Sequence, residues 1–117
     1  MVRRYVPARG DAVWITVNPE AGHDQAGRRP ALVVSPSCYN GKVGLAMVCP
    51  ITSQIKGYPF EVAILSGSKL GGVIIADQVK SFDWRVRKAD FISKLPRNHQ
   101  RSLRQVSNAF ARRELAG

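Results

Sequence analysis

Two polar segments of this chain carry the side chains whose types and spacing could do chemistry. One covers residues 22–30 and contains an arginine pair, Arg28 and Arg29. The other covers residues 52–59 and begins with Thr52. An arginine held at the start of a strand suits a phosphate clamp, because its planar fork matches phosphate oxygens. A threonine hydroxyl can hydrogen-bond the same group, so the two segments together indicate phosphoryl chemistry.

Phosphoryl transfer on RNA needs little covalent help from a protein, since RNA carries its own nucleophile, the 2′-hydroxyl. The protein must hold that group in line with the phosphorus and stabilise the charge that develops there. Arginine stays protonated at neutral pH. We therefore expect Arg29 to stabilise charge or to donate a proton to the leaving oxygen, and the Thr52 hydroxyl to bond the phosphate or the 2′-hydroxyl.

Other catalytic and metal-binding patterns are missing from the sequence. It contains no Walker-type phosphate loop and no Gly-x-Ser-x-Gly nucleophile pattern. Eight Asp and Glu residues are few for the carboxylate cluster of a two-metal nuclease, and Cys38 and Cys49 lack the spacing of a zinc site. We therefore predict no metal, no cofactor, two free thiols that are buried or half-buried, and a solvated position for His99.

Length and composition favour one domain with an anionic partner. The 117 residues, 44% of them apolar, suffice for a single domain over residues 1–117 with its own core. Eighteen Lys and Arg against eight Asp and Glu give a net charge of +10, above the magnitude of about 2–8 that solubility needs. No apolar run of about 18 residues and no signal-peptide pattern occur, so we expect a cytoplasmic protein without a membrane span.

Short strands and one late helix are predicted to position the two polar segments. The Asn40-Gly41 pair predicts a hairpin turn, and Pro96 begins an amphipathic helix in which Leu103, Val106 and Phe110 recur at helical spacing. Many short strands followed by one helix indicate a mainly β fold, a small and strongly bent barrel-like antiparallel sheet with a C-terminal α-helix. The predicted strands cover residues 12–17, 31–35, 44–51, 60–65, 73–76 and 79–84, the last being either separate or the fifth strand continued after a bend.

Strand order alone brings the arginine and the threonine together. Arg29 precedes the second predicted strand and Thr52 follows the third. If the Asn40-Gly41 hairpin makes these strands antiparallel, both residues lie at the same end of the pair.

Taken in order, these segments resemble the MazF/PemK-type toxins, the endoribonuclease half of bacterial toxin–antitoxin pairs. The resemblance covers roughly residues 1–90 and rests on Gly10-Asp11, Asn18-Pro19 with Gly22, Asp24 through Val34, Pro50 through Gln54, Lys56 through Val62, and Ala76 through Ser81. It implies an SH3-like β-barrel of the kind shared with the CcdB-type gyrase poisons, and a homodimer. It also implies metal-independent cleavage of single-stranded RNA, often mRNA, to 2′,3′-cyclic phosphate and 5′-hydroxyl ends, and neutralisation by an acidic, MazE-like antitoxin.

The resemblance assigns roles residue by residue. The catalytic arginine and threonine fall on Arg29 and Thr52, and the acidic loop residue, usually Glu, falls on Asp24 as an orienting group. Arg28 stands where one relative has a histidine, which leaves the general base open and makes His23 the titrating group of the loop. Substrate contacts are expected from Gln25, Arg28, Asn40, Ser53, Gln54, Lys56, Tyr58 and Lys80.

Two other functions fit the same residues. A non-catalytic toxin of this fold would bind a protein target such as DNA gyrase through its C-terminal helix and would not need Arg29 or Thr52. A plain basic RNA-binding barrel would bind RNA with a steep salt dependence and leave it intact.

Overall fold

The computed structural model describes residues 5–17, 27–64 and 70–94. The predicted loop residues His23, Asp24 and Gln25 lie outside these ranges, as does the predicted helix from Pro96. The described elements are seven strands and one helix: β1 Asp11–Thr16, β2 Arg28–Val33, α1 Ser37–Val43, β3 Leu45–Thr52, β4 Glu61–Ala63, β5 Val73–Ile75, β6 Lys80–Asp83 and β7 Asp90–Lys94. This α1 is the sole helix of the described ranges, and it is too short to cross a membrane.

All strand pairs are antiparallel and form one sheet in the order β4-β5-β3-β2-β1-β7, with β6 also paired to β3. The prediction of a mainly β fold is therefore confirmed. Over the described ranges the sheet stays open, because β4 and β7 at its two ends pair on one side only. A closed barrel and the C-terminal helix thus remain predictions.

The six predicted strands correspond to β1 through β6 with ends displaced by a few residues. The bend between the last two is confirmed, since β5 and β6 pair successively with the same strand, β3. Val48 pairs with Lys80, and Ile51 pairs with Ile74. The chain therefore advances three residues along β3 but six residues from β5 to β6. The extra residues form a bulge over residues 76–79. Strand β7 was not predicted. Its two apolar residues, Phe91 and Ile92, are adjacent and flanked by polar residues, so the segment lacks the alternating pattern of a strand.

Both faces of the central strands are buried, and alternate residues supply the two faces. Leu32 and Cys49 belong to one apolar cluster, whereas Ala31 and Val48 belong to the other. The sheet therefore has a fixed register, because a slip of one residue would exchange these faces. The position of each polar residue at a strand end follows from that register.

The predicted Asn40-Gly41 hairpin turn is wrong, because α1 occupies this connection. The helix follows Pro36 and ends at Gly44, whose φ of 82° is the left-handed conformation that glycine adopts without strain. The Asn40 side chain is fully buried and donates hydrogen bonds to the carbonyl oxygens of Pro7 (2.7 Å) and Ser35 (3.0 Å). Its amide oxygen accepts a bond from the Ser35 hydroxyl at 2.5 Å. Asn40 is thus a structural residue of the core, which corrects its predicted role in substrate binding.

Candidate functional site

The antiparallel pairing of β2 and β3 brings Arg29 and Thr52 to the same end of the two strands. Ala31 pairs with Pro50 and Val33 with Val48. Arg29 and Thr52 lie two residues beyond the last pair, Ala31–Pro50, at the same end of the two strands. Both residues line one groove of about 530 Å³. The predicted juxtaposition is confirmed.

Three adjoining depressions surround this pair, and shared residues join them. The Arg29–Thr52 groove meets a second groove of about 530 Å³ at Thr52 and Gln54. We call the second one the Tyr58 groove; it is lined by Thr52, Gln54, Lys56, Gly57, Tyr58, Glu61, Ile75 and Gln78. A smaller pocket of about 170 Å³, the Lys80 pocket, shares Arg29 with the first groove and Gln78 with the second. The two grooves have polar and apolar lining, whereas the Lys80 pocket is lined mostly by apolar residues, with Arg29, Gln78 and Lys80 as its polar ones.

Pro30 leaves β2 unpaired with β3 next to Arg29. It lies within β2, where only β1 pairs with it, through Trp14. The β2–β3 register covers Ala31 to Val33, so β2 is an edge strand at Pro30. A proline has no N–H to donate and is tolerated at an edge. Arg29 itself is exposed, with one guanidinium nitrogen 3.1 Å from the carbonyl oxygen of Arg28.

Arg28 is bonded to neighbouring strands through its side chain, and its contact with substrate stays a prediction. Its guanidinium donates to the Thr16 hydroxyl and the Lys88 carbonyl oxygen, both at 3.1 Å. It also forms an ion pair with Asp90 at 2.7 Å. Consecutive strand residues point to opposite faces, so the Arg28 guanidinium binds β2 to β1 and β7 while Arg29 lines the groove.

The Thr52 hydroxyl is poised at the junction of the two grooves. Its oxygen accepts a hydrogen bond from the backbone N–H of Gln54 at 3.1 Å. A hydroxyl that accepts one bond still has its own proton to donate, and here that proton is available to an anionic ligand. Ser53 and Gln54 are exposed beside it.

The backbone of Gly72 lies close to the backbone of Thr52. Gly72 has a φ of 101°, and a Cβ built on it would overlap the Thr52 carbonyl oxygen and lie 2.9 Å from Ser53 Cα. Only a residue without a side chain fits this approach. The segment before β5 thereby fixes the backbone that carries the hydroxyl.

The wall of the Tyr58 groove is held by two carboxylates. Glu61 accepts the N–H groups of Lys56 (3.0 Å) and Gly57 (3.2 Å), one on each carboxylate oxygen. The Tyr58 hydroxyl donates to Asp77, which lies in the bulge over residues 76–79. The predicted residues Lys56 and Tyr58 therefore line the groove on a braced loop.

Two lining residues, Gln78 and Glu61, were missed by reasoning from the sequence. Gln78 lies in the bulge and lines both the Tyr58 groove and the Lys80 pocket. The break between the last two predicted strands was the available signal, since bulges redirect side chains. Glu61 gave no signal of its own, because a capping carboxylate is recognised only from the backbone it caps.

Charge and ionisation favour an anionic ligand. Arg29, Lys56 and Lys80 supply positive charge to the connected grooves, whereas both Glu61 oxygens are engaged by backbone N–H groups. Behind the site, burial and, to a lesser extent, the negative charge of Asp77 raise the pKa of Cys49 to about 12. Cys49 is thus a neutral thiol of the core. Both thiols are free, as predicted, and Cys49 is buried, but the prediction of a buried or half-buried thiol is wrong for Cys38, which is exposed.

The donor groups of the site do not include a metal-binding cluster. No three His, Cys, Asp or Glu side chains come together within residues 5–17, 27–64 and 70–94. The polar lining groups are guanidinium, ammonium, hydroxyl, amide and phenol, with one carboxylate, that of Glu61. They can bind a phosphodiester, stabilise negative charge on it and contact the bases beside it.

Comparisons with known proteins agree with this geometry. Residues 8–111 match the PemK-like, MazF-like toxins of type II toxin–antitoxin systems. The endoribonuclease toxin MazF of Escherichia coli (strain K12) is 55% identical over 89 residues, which cover 76% of this chain and 79% of that protein.

Solved structures are similar over nearly the whole chain. A crystal structure of MazE–MazF from Deinococcus radiodurans has a TM-score of 0.80 at 40% identity, covering 97% of this chain and 98% of that one. A crystal structure of MazF from the same organism has a TM-score of 0.79 at 46% identity, covering 92% and 94%. The chain belongs to the PemK-like, MazF-like toxins of type II toxin–antitoxin systems.

Proposed function

We propose that this protein is an endoribonuclease toxin that cleaves single-stranded RNA without a metal ion. The observation that carries the proposal is that Arg29 and Thr52 line one groove, with Lys56 and Lys80 in the depressions that adjoin it. A relative that is 55% identical is named an endoribonuclease toxin. Family membership and the site chemistry thus favour the same reaction.

The reaction proposed is an internal transfer on the RNA chain. The 2′-hydroxyl oxygen attacks the adjacent phosphorus while the bond to the 5′-oxygen breaks. The hydroxyl proton leaves to a base, and the leaving 5′-oxygen gains a proton, which gives a 2′,3′-cyclic phosphate and a 5′-hydroxyl. Arg29 would stabilise the negative charge on the phosphoryl oxygens. Thr52 would hold the phosphate or the 2′-hydroxyl, and Asp24 would orient these groups.

RNA would lie along the connected grooves. Lys56 and Lys80 are positioned to contact neighbouring phosphates, and the exposed ring of Tyr58 offers a stacking surface for a base. Ser53, Gln54 and Gln25 would add hydrogen bonds. A single strand is required, because only unpaired bases can be splayed out onto such a surface.

The partners follow from charge and family. A net charge of +10 suits both RNA and an acidic antitoxin that would cover the same surface. The neighbouring structure from Deinococcus radiodurans is a MazE–MazF complex, so we propose a MazE-like partner here. We also propose a homodimer that acts in the cytoplasm and arrests growth by cleaving mRNA.

The test is cleavage of a mixed-sequence RNA in EDTA with mapping of the new ends. We expect cleavage at a short sequence, with cyclic phosphate and 5′-hydroxyl termini. Arg29→Ala and Thr52→Ala should each lower the rate by about 100-fold or more, the typical loss when one transition-state donor is removed. Thr52→Ser keeps the hydroxyl and should retain most activity, and Arg9→Ala is a matched control at an exposed turn.

Near-normal cleavage by either alanine variant would show that its catalytic role is wrong. RNA left intact by stoichiometric protein would contradict the proposal as a whole. Growth arrest in that case would favour the non-catalytic toxin that binds a protein target.

A further inference from the structure

The wall of the Tyr58 groove has no strand of its own, so its shape depends on what braces it. Residues 54–58 lie between β3 and β4 without strand pairing. Gly57 has a φ of 77°, a conformation in which a reversal of the chain is easy for glycine. A loop of this kind keeps one shape only where side chains fix its backbone.

Glu61 supplies the first brace. It is the opening residue of β4, and its two carboxylate oxygens accept the N–H groups of Lys56 and Gly57 separately. Bonds from backbone N–H to an ionised carboxylate are among the stronger hydrogen bonds. The carboxylate thus holds the loop at the two residues that precede Tyr58.

The second brace joins the loop to another segment. The Tyr58 hydroxyl bonds to Asp77 in the bulge over residues 76–79, and the next residue, Gln78, lines the same groove as Tyr58. Glu61 therefore holds the loop, and Tyr58 connects it to the bulge. The two contacts together set the width of the groove beside Thr52.

We propose that Glu61 is a positioning residue that sets which bases the enzyme accepts next to the cleaved bond. This inference rests on the proposed ribonuclease function and concerns base selection. Glu61 lines the Tyr58 groove but is absent from the lining of the Arg29–Thr52 groove. Releasing the loop would leave the arginine and threonine in place and change the surface against which a base stacks and forms hydrogen bonds.

The test compares Glu61→Ala with a matched control, Asp83→Ala. Asp83 also caps a loop, since its carboxylate accepts the N–H groups of Arg85 and Val86 at 3.0 Å. Neither Asp83 nor the two residues it caps lines the grooves or the Lys80 pocket. Each variant is assayed for kcat and KM on the preferred RNA and on RNAs with single base changes around the cleaved bond.

We expect Glu61→Ala to reduce the preference for the best sequence by about tenfold, a size typical of losing one stacked base. The loss should lie in KM, with kcat on the preferred RNA changed less than about twofold. Glu61→Gln should fall between, because an amide keeps one acceptor oxygen. Asp83→Ala should leave the preference unchanged.

Tyr58→Phe provides a second route in case Glu61→Ala destabilises the fold, which thermal melting would reveal. The variant keeps the aromatic ring and removes the bond to Asp77, so a folded Tyr58→Phe protein should also show reduced preference. Wild-type sequence preference in both Glu61→Ala and Tyr58→Phe would overturn the inference. Failure of the wild-type protein to cleave any RNA would instead contradict the proposed function, so the two failures are distinguishable.

Discussion

At the scale of single residues, neighbouring side chains of the same type have different tasks. Arg28 and Arg29 are adjacent and chemically identical, yet one is bonded to Thr16, Lys88 and Asp90 and the other lines a groove. Strand alternation separates them, and the edge at Pro30 leaves room beside the second. The sequence predicted a pair of phosphate ligands, because residue type alone cannot assign a face to either arginine.

Gly72 is the residue whose replacement should affect Thr52 most directly. Gly72→Ala puts a Cβ against the Thr52 carbonyl oxygen and strains a φ of 101°. We expect a loss of about 1–3 kcal/mol in the free energy of unfolding, typical of a strained backbone position, and reduced RNA cleavage in the protein that remains folded. Chemical denaturation and the cleavage assay measure the two effects.

The control for that substitution is the preceding residue. Gly71 also lines the Arg29–Thr52 groove, but nothing lies within 4 Å of a Cβ added there. Gly71→Ala should therefore keep near-wild-type stability. Equal stability losses in the two variants would show that the approach of Gly72 to Thr52 is not what constrains this segment.

At the scale of elements, the β2–β3 connection is where the prediction from local sequence differs most from the structure. An Asn-Gly pair predicts a turn when both residues adopt positive φ in solvent. Here Asn40 is buried inside α1, and the Trp84 indole N–H donates to its carbonyl oxygen at 2.9 Å. Its partners Pro7 and Trp84 are distant in sequence, and Ser35 is buried. No local sequence pattern could therefore predict these contacts.

Asn40→Ala tests the structural role of this connection. The substitution leaves buried groups of Pro7 and Ser35 without their partner, which should lower the free energy of unfolding by about 1–3 kcal/mol. Cleavage per folded molecule should stay near wild type at a temperature well below the melting transition. A selective loss of RNA binding with unchanged stability would restore the predicted contact between Asn40 and substrate.

The register of the central strands, in contrast, was within reach of the sequence. Arg29 and Thr52 could be placed at one end because antiparallel neighbours in sequence reverse direction whatever connects them. The helix that replaced the hairpin left this conclusion intact. Glu61 was out of reach, since a capping carboxylate depends on contacts between segments that the sequence does not align. For Gln78 the sequence offered one signal, the break between the last two predicted strands.

At the scale of the whole molecule, buried ionisable groups predict how stability varies with pH. Burial and then Asp77 raise the pKa of Cys49 from 9.0 to about 12. Burial and then the hydrogen bond to Asp11 raise the pKa of Tyr5 well above its ordinary value. In alkaline solution the unfolded chain loses protons that the folded protein keeps. Stability therefore falls as the pH rises above the unfolded-state pKa values.

Denaturant unfolding between pH 8 and pH 11 should show this decline. We expect Cys49→Ala to flatten it, with a contribution of up to about 1.4 kcal/mol per pH unit from one group. The absolute stability of this variant will also be lower because of the cavity it creates, so the slope is the informative quantity. Cys38→Ala removes a thiol that is exposed and should leave the slope unchanged. A wild-type slope in Cys49→Ala would contradict the assignment.

Strand β3 is the common partner of β2, β5 and β6, and this has a consequence for the order of events during synthesis. Arg29 emerges from the ribosome first, Thr52 follows, and Gln78 and Lys80 come later. Because these residues converge only through pairing with one strand, the complete groove system cannot exist on a nascent chain that ends before β6. A nascent chain therefore has to include β6 before the surface that carries Arg29, Thr52 and Lys80 is complete.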